Sequence, residues 1–130
     1  ARVGVIGVAF KPNVRDARNT PATDVIVGLV ARGASVTYHD PHVPTFYLPD
    51  TSSMASVPLD ALIEESDVVV VVTAHKDVDW PRVYDQADLV VDTTNSSTGH
   101  RVRPRQVLRL GAGWATASAR VLAGSQQGMR

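Results

Sequence analysis

The chain of 130 residues contains no cysteine. This absence excludes a disulfide framework, a thiolate nucleophile and a thiolate-bound metal within these residues. It also makes the reducing cytoplasm the simplest compartment, so we expect a cytoplasmic protein.

An excess of one charge and a long hydrophobic run are also missing. Lys plus Arg and Asp plus Glu number 13 each, so no net field favours nucleic acid or an anionic membrane. The longest apolar run is five valines, residues 68–72, whereas a membrane helix needs about 20 residues. The arginines after residue 115 lack interleaved aromatics and are best interpreted as solvated charge. We expect neither nucleic acid nor membrane as a partner.

The sequence does contain an alternation of strand-like and helix-like segments. Strands are predicted at 3–7, 35–39, 68–73 and 87–92, with helices starting at Pro21, Pro58 and Trp80. The valine run is typical of a buried parallel strand. The predicted fold is α/β: a doubly wound, mostly parallel open sheet, Rossmann-like, in three αβα layers.

The remaining segments carry weaker signals. Residues 41–56, rich in proline, serine and threonine, are predicted to be irregular, with a possible short edge strand at 54–57, and 107–110 resemble another short strand. Residues 1–112 are predicted to form the domain, and residues 113–130 a partly flexible C-terminal tail. A start directly on a strand suggests that Ala1 is a cut point in a longer polypeptide.

The loop after the first strand carries cations and ends at a helix start. Lys11, Arg15 and Arg18 precede Thr20, a good N-cap, and Pro21, which suits the first helical position. Unpaired N–H groups and cations at one place attract anions, phosphate above all. The alternative is an ordinary surface loop with solvated charges.

Topology predicts what faces this loop. If the first strand lies between the second strand and the valine strand, Lys11 faces residues 74–76 across a crevice at the carboxyl ends, where such sheets bind ligands. His75 is either a polar loop residue, the interpretation we favour, or a wall of that crevice. The four histidines show no metal-ligand spacing, so no metal site is predicted.

A dinucleotide fingerprint is only partly present. Asp40 supplies the acid after the second strand, but Ala9 and Pro12 stand where the G-x-G-x-x-G pattern needs glycines after Gly7. Binding of NAD by a fingerprint of this domain is therefore disfavoured.

Four segments together resemble a known family. They are GVAFKPNVRDARNTPA (7–22), GASVTYHDPHVP (33–44), VVVVVTAHKDVDW (68–80) and LVVDTTN (89–95). In this order they resemble the C-terminal, UDP-binding domain of the UDP-glucose/GDP-mannose (nucleotide-sugar 6-) dehydrogenase family. The second and third segments are more similar to the enzymes that oxidise UDP-N-acetylmannosamine or UDP-N-acetylglucosamine, which serve polysaccharide biosynthesis.

The resemblance implies an NAD-dependent oxidoreductase that converts a UDP-sugar to its uronic acid in two hydride transfers. The family's NAD fingerprint and catalytic cysteine lie in an N-terminal domain, and a middle region forms a homodimer. This chain would then bind the UDP-sugar, contain no catalytic residue, have the remainder of the parent polypeptide as its partner and be inactive alone.

Site residues follow from the same resemblance. Phe10 and Lys11 match the motif that lies against the UDP-sugar, and Arg18 matches the arginine that reaches toward NAD held mainly by the other domain. Asp16 would hold the loop in shape. Asn19 and Thr20 replace a commoner acid and serine, and Arg15 stands where an acid is frequent. The alternative function is a stand-alone Rossmann-type nucleotide- or cofactor-binding module without catalytic activity.

Overall fold

The computed structural model describes residues 1–9, 21–94, 97–109 and 113–114. Within these ranges the elements follow in this order: β1 Arg2–Ile6, α1 Pro21–Ala31, β2 Ser35–His39, β3 Thr45–Tyr47, β4 Ser53–Ala55, α2 Leu59–Glu65, β5 Val68–Val71, α3 Trp80–Gln86, β6 Val90–Asp92, β7 Val107–Arg109 and β8 Gly113–Trp114. The predicted helices therefore begin at or within one residue of the predicted positions.

The main sheet has six strands in the order β2-β1-β5-β6-β7-β8. The first five are parallel, and only β8 pairs in the antiparallel sense, with β7. β1 lies between β2 and β5, with Ile6 opposite His39 on one side and Val71 on the other. This arrangement confirms the predicted fold class and the predicted neighbours of the first strand.

Hydrophobic cores cover both faces of the sheet, which makes three layers. Alternate valines of the run point to opposite sides, because side chains alternate along a strand. Val69 and Val71 pack in a cluster with residues of α2 and α3, whereas Val70 and Val72 pack against a cluster with residues of α1. The unbroken valine run is thus explained by burial on both faces.

The segment 41–56, predicted to be irregular, contains an antiparallel hairpin of β3 and β4. Phe46 of β3 is buried and lies edge-on to Tyr38, with ring centroids 6.0 Å apart. Tyr38 Oη donates a hydrogen bond to the carbonyl oxygen of Val43 at 2.8 Å. These two contacts from β2 hold the hairpin against the core, so tertiary packing overrides the weak local signal. The edge strand expected at 54–57 lies at Ser53–Ala55.

Two further findings concern the ends of the described chain. β8 was not predicted, and it extends the sheet beyond β7. The domain boundary at residue 112 stays a prediction.

Among the described helices, none is both long enough and apolar enough to span a bilayer.

Candidate functional site

The carboxyl end of β1 is pressed against the residues that follow β5. Gly7 has φ of +85°, and a Cβ placed there would lie 2.4 Å from the carbonyl oxygen of Thr73. Thr73 Oγ1 donates to the carbonyl oxygen of Ala9 at 2.7 Å. Glycine is therefore required at position 7, because no other residue combines this backbone conformation with so close an approach.

Asp40, directly after β2, reaches across to the same segment. Its Oδ2 accepts the backbone N–H groups of Val8 at 2.9 Å and Ala9 at 3.1 Å. Its Oδ1 accepts the N–H of His42 at 2.8 Å. Asp40 is 1% exposed, so its charge is balanced by these donors and not by water.

His75 completes this arrangement from the loop after β5. Its Nε2 lies 3.0 Å from Asp40 Oδ2, and since an ionised carboxylate only accepts, the Nε2–H donates. The side chain is fully buried, and the backbone oxygen of His75 accepts the indole N–H of Trp80 at 2.8 Å. His75 is a polar loop residue, in agreement with the favoured interpretation, and its ring lies inside the protein as a partner of Asp40.

Two neighbouring groups have shifted pKa values. Burial, reinforced by the charge of Asp40, raises the pKa of the Tyr38 phenol to about 12. On the surface, a hydrogen bond of 2.9 Å from His42 Nε2 lowers the pKa of the Asp77 carboxyl. The His42 ring also contacts the His75 ring at a centroid distance of 4.5 Å.

Asp92, at the end of β6, organises the next loop along the same edge of the sheet. Its Oδ1 accepts the N–H of Thr94 at 2.9 Å, and its Oδ2 accepts the N–H and hydroxyl of Ser97 at 2.9 and 2.6 Å. Arg109 Nε donates to Ser97 Oγ at 2.7 Å. The loop that follows β6 is thus anchored at the carboxyl edge of the sheet.

The four residues that the resemblance assigns to the site, Phe10, Lys11, Asp16 and Arg18, lie outside the described residues, as does Arg15. What the structure describes is the two ends of their loop, Ala9 and the start of α1 at Pro21. Both ends lie at the carboxyl edge, because a parallel strand leaves the sheet there and the following helix begins there. Their roles stay predictions.

Sequence reasoning missed the pairing of Asp40 with His75. Sequence analysis considered the two residues separately, Asp40 as the acid of a partial dinucleotide fingerprint and His75 as a polar loop residue or a wall of the crevice. The signal that could have found this pairing is an acid directly after β2 and a histidine in the loop after β5, because both of these strands are neighbours of β1.

The geometry also tests whether Asp40 suits NAD. A ribose needs an accessible carboxylate after the second strand. Asp40 is buried, and its oxygens already accept four hydrogen bonds. The described residues therefore do not fit the usual dinucleotide site.

A groove of about 1060 Å³ lies elsewhere, between α3 and residues 100–104. Two of its arginines already have partners. Arg82 pairs with Asp60 and Asp79, and Arg103 donates to the carbonyl oxygens of Asp85 and Ala87. Among the described residues, no group of three or more His, Asp or Glu side chains is placed to hold a metal ion. We therefore locate the candidate site at the carboxyl ends of β1, β2 and β5.

An open, mostly parallel sheet with helices on both faces is a Rossmann-like α/β domain in class. The chain belongs to the UDP-glucose/GDP-mannose dehydrogenase family, and residues 4–98 match the family's UDP binding domain. This match confirms the resemblance inferred from the four segments.

Individual relatives agree with the family. The chain is 36% identical over 74 residues to UDP-N-acetyl-D-mannosamine dehydrogenase of Methanococcus maripaludis strain S2, covering 57% of this chain and 16% of that protein. It is 32% identical over 97 residues to UDP-glucose 6-dehydrogenase TuaD of Bacillus subtilis, covering 70% and 19%. This chain thus matches less than a fifth of the length of either relative.

A solved structure confirms the fold. The UDP-N-acetyl-mannosamine dehydrogenase Cap5O of S. aureus superposes with a TM-score of 0.58 at 23% identity, over 83% of this chain and 25% of that one.

Proposed function

We propose that this chain is the UDP-sugar-binding domain of an NAD-dependent nucleotide-sugar dehydrogenase. The parent enzyme would oxidise the C6 hydroxyl of a UDP-hexosamine to a carboxylate in two hydride transfers, with UDP-N-acetylmannosamine as the preferred candidate substrate. The family match and the activities of the relatives support this proposal.

The binding role follows from the chemistry of the loop between β1 and α1. A lysine such as Lys11 has three donors and a positive charge that suit a diphosphate, and a phenylalanine such as Phe10 has an apolar face that suits a nucleotide base. The first N–H groups of the 11-residue helix α1 lie at the same edge and favour an anion. Asp16 would shape the loop, and Arg18 would extend toward the cofactor.

The remaining parts of the reaction belong to other parts of the parent polypeptide. NAD, when bound, supplies the hydride acceptor, and the buried Asp40 argues against its binding at the end of β2. The chain has no cysteine to act as nucleophile. We therefore propose that the isolated chain is inactive. From the family resemblance we further propose that the parent enzyme is a homodimer, and we expect it in the cytoplasm.

The observation that carries the proposal is the match of residues 4–98, because it includes the loop and the described residues at both of its ends. Calorimetric titration of the 130-residue chain with UDP and, separately, with NAD tests it. We expect UDP to bind and NAD not to bind. Binding of NAD without UDP would favour the stand-alone cofactor-binding module.

Two variants test whether the UDP site lies on the loop between β1 and α1. A charge-assisted hydrogen bond contributes about 1.5–3 kcal/mol, so Lys11→Ala should weaken UDP binding by about tenfold or more. Arg2→Ala is the matched control, because it removes one cation at the amino edge of the sheet, where Arg2 pairs with the exposed Asp67. Equal weakening by both variants would show that only net charge matters.

A further inference from the structure

The chain enters the proposed UDP-binding loop through two peptide groups that are held from both sides. The N–H groups of Val8 and Ala9 point to Asp40 Oδ2, on the β2 side. The carbonyl oxygen of Ala9 accepts from Thr73 Oγ1, on the β5 side. Ala9 directly precedes Phe10 and Lys11, so these bonds anchor the peptide groups from which the loop departs.

Asp40 is itself held by His75. The His75 Nε2–H donates to the oxygen that also accepts from Val8 and Ala9, and both side chains are fully buried. Trp80, the first residue of α3, donates its indole N–H to the backbone of His75. A chain of hydrogen bonds therefore runs from the start of α3 through His75 and Asp40 to the peptide groups before Lys11.

This burial separates Asp40 from any ligand in the crevice. A carboxylate that faced a diphosphate would repel it, whereas the donors around Asp40 balance its charge inside the protein. The group thus acts on the backbone and not on the nucleotide.

We infer that Asp40 and His75 are positioning residues that set the geometry of the UDP-binding loop by anchoring the peptide groups of Val8 and Ala9. This inference rests on the proposed function for its ligand, but the anchoring itself is a property of the free chain. In metal sites, removal of the hydrogen-bond partners that orient the ligating residues weakens affinity by about tenfold or more, and we expect an effect of similar size for this anchor.

The decisive comparison uses two substitutions of His75. His75→Phe keeps a ring of similar size and removes the donor, whereas His75→Gln keeps an N–H donor at the end of its side chain. We expect His75→Phe to raise the Kd for UDP by about tenfold and His75→Gln to restore it to within about threefold of the original.

Gln106→Ala is the control for a general loss of stability. Gln106 is buried and donates to the carbonyl oxygens of Tyr84 and Ala87, but it precedes β7 and therefore lies at the opposite edge of the sheet. Measured at a temperature where all variants are folded, Gln106→Ala should leave the Kd for UDP within about twofold. Equal weakening by His75→Phe and Gln106→Ala would overturn the inference.

Amide hydrogen exchange provides a second measurement that needs no ligand. In the unmodified chain the amides of Val8 and Ala9 should be protected, and His75→Phe or Asp40→Asn should accelerate their exchange relative to Val70 in the centre of the sheet. Unchanged exchange at Val8 and Ala9 would overturn the anchoring. Failure of the unmodified chain to bind UDP, with the exchange pattern as expected, would refute the proposed function and leave the anchor established.

Discussion

Two buried aspartates end two strands of the same sheet, and they act over very different distances along the chain. Asp40 after β2 binds the N–H groups of residues 31 and 32 positions earlier and the ring of His75, 35 positions later. Asp92 at the end of β6 binds Thr94 and Ser97, two and five positions later. The first residue joins three elements of the fold, whereas the second shapes its own loop.

The surroundings of the two aspartates differ in the same way. On the Asp40 side, Gly7 touches the backbone of Thr73, and the donors around the carboxylate are paired with it. On the Asp92 side, no described atom lies within 4 Å of a Cβ placed at Gly99, and the buried Nη2 of Arg109 has no hydrogen-bond partner among the described residues. The tightly packed region lies where the proposed UDP-binding loop leaves the sheet. The positions of the backbone atoms are therefore more tightly constrained there than beside β6.

The two glycines give the sharpest test of this difference. Gly7 and Gly99 have nearly the same φ, +85° and +87°, so alanine strains the backbone equally at both positions. Gly99→Ala should cost about 1–2 kcal/mol, the price of that conformation alone. Gly7→Ala adds a collision with the backbone of Thr73, and we expect a loss of about 4 kcal/mol or more.

Urea unfolding of both variants measures these losses. The packing term is the difference between the two values, since the conformational term is common to both. Similar losses for Gly7→Ala and Gly99→Ala would mean that β1 and Thr73 can move apart at little cost, and the contrast between the two regions would disappear.

Removal of each aspartate should have the next largest effect. Asp40→Ala leaves the buried N–H groups of Val8 and Ala9 and the His75 ring without their acceptor, and we expect a loss of about 3–4 kcal/mol. Asp92→Ala leaves groups within one loop, where the partly exposed Thr94 can bond to water, and should cost about 2 kcal/mol.

Amide exchange distinguishes the two aspartate variants further. Asp40→Ala should accelerate exchange in residues 8–9 and in the neighbouring loop after β5, whereas Asp92→Ala should change exchange only around residues 94–97. A spread of the Asp92→Ala effect to residues 8–9 would show that the two regions are coupled.

Much of this arrangement was predictable, because it follows from strand order. The valine run indicated a strand buried on both faces, and the βα alternation placed β1 between β2 and β5. These two inferences were enough to bring the residues after Gly7 beside those after β5. The same two inferences were enough to predict that the candidate site lies at the carboxyl edge of the sheet.

The role of Asp40 could not be predicted in the same way. An acid after the second strand suits either a ribose or a backbone anchor, and the choice depends on register. Because Ile6 pairs with His39, the first residues after β1 come level with Asp40, close enough to donate to it. The hairpin of β3 and β4 was missed for a similar reason, since it depends on the contact of Phe46 with Tyr38.

Tyr38 offers the smallest and most specific test, through pH. The pKa of its phenol is raised to about 12 from 10.0, with burial as the main cause and the charge of Asp40 as the second. The folded protein therefore holds this proton more tightly than the unfolded chain does. The resulting stability is fully present below pH 10 and is lost as the pH rises toward 12, by about 2–3 kcal/mol in all.

Unfolding free energies between pH 9 and 12 should show this decline, and Tyr38→Phe should lack most of it. Ultraviolet titration of the tyrosine phenols measures how strongly the charge of each aspartate influences the Tyr38 pKa. Asp40→Asn removes the neighbouring charge and should bring the Tyr38 pKa below 12, whereas Asp92→Asn should leave it unchanged because Asp92 does not contribute to its shift. An equal effect of both substitutions on the Tyr38 pKa would show that this pKa does not depend on Asp40 in particular.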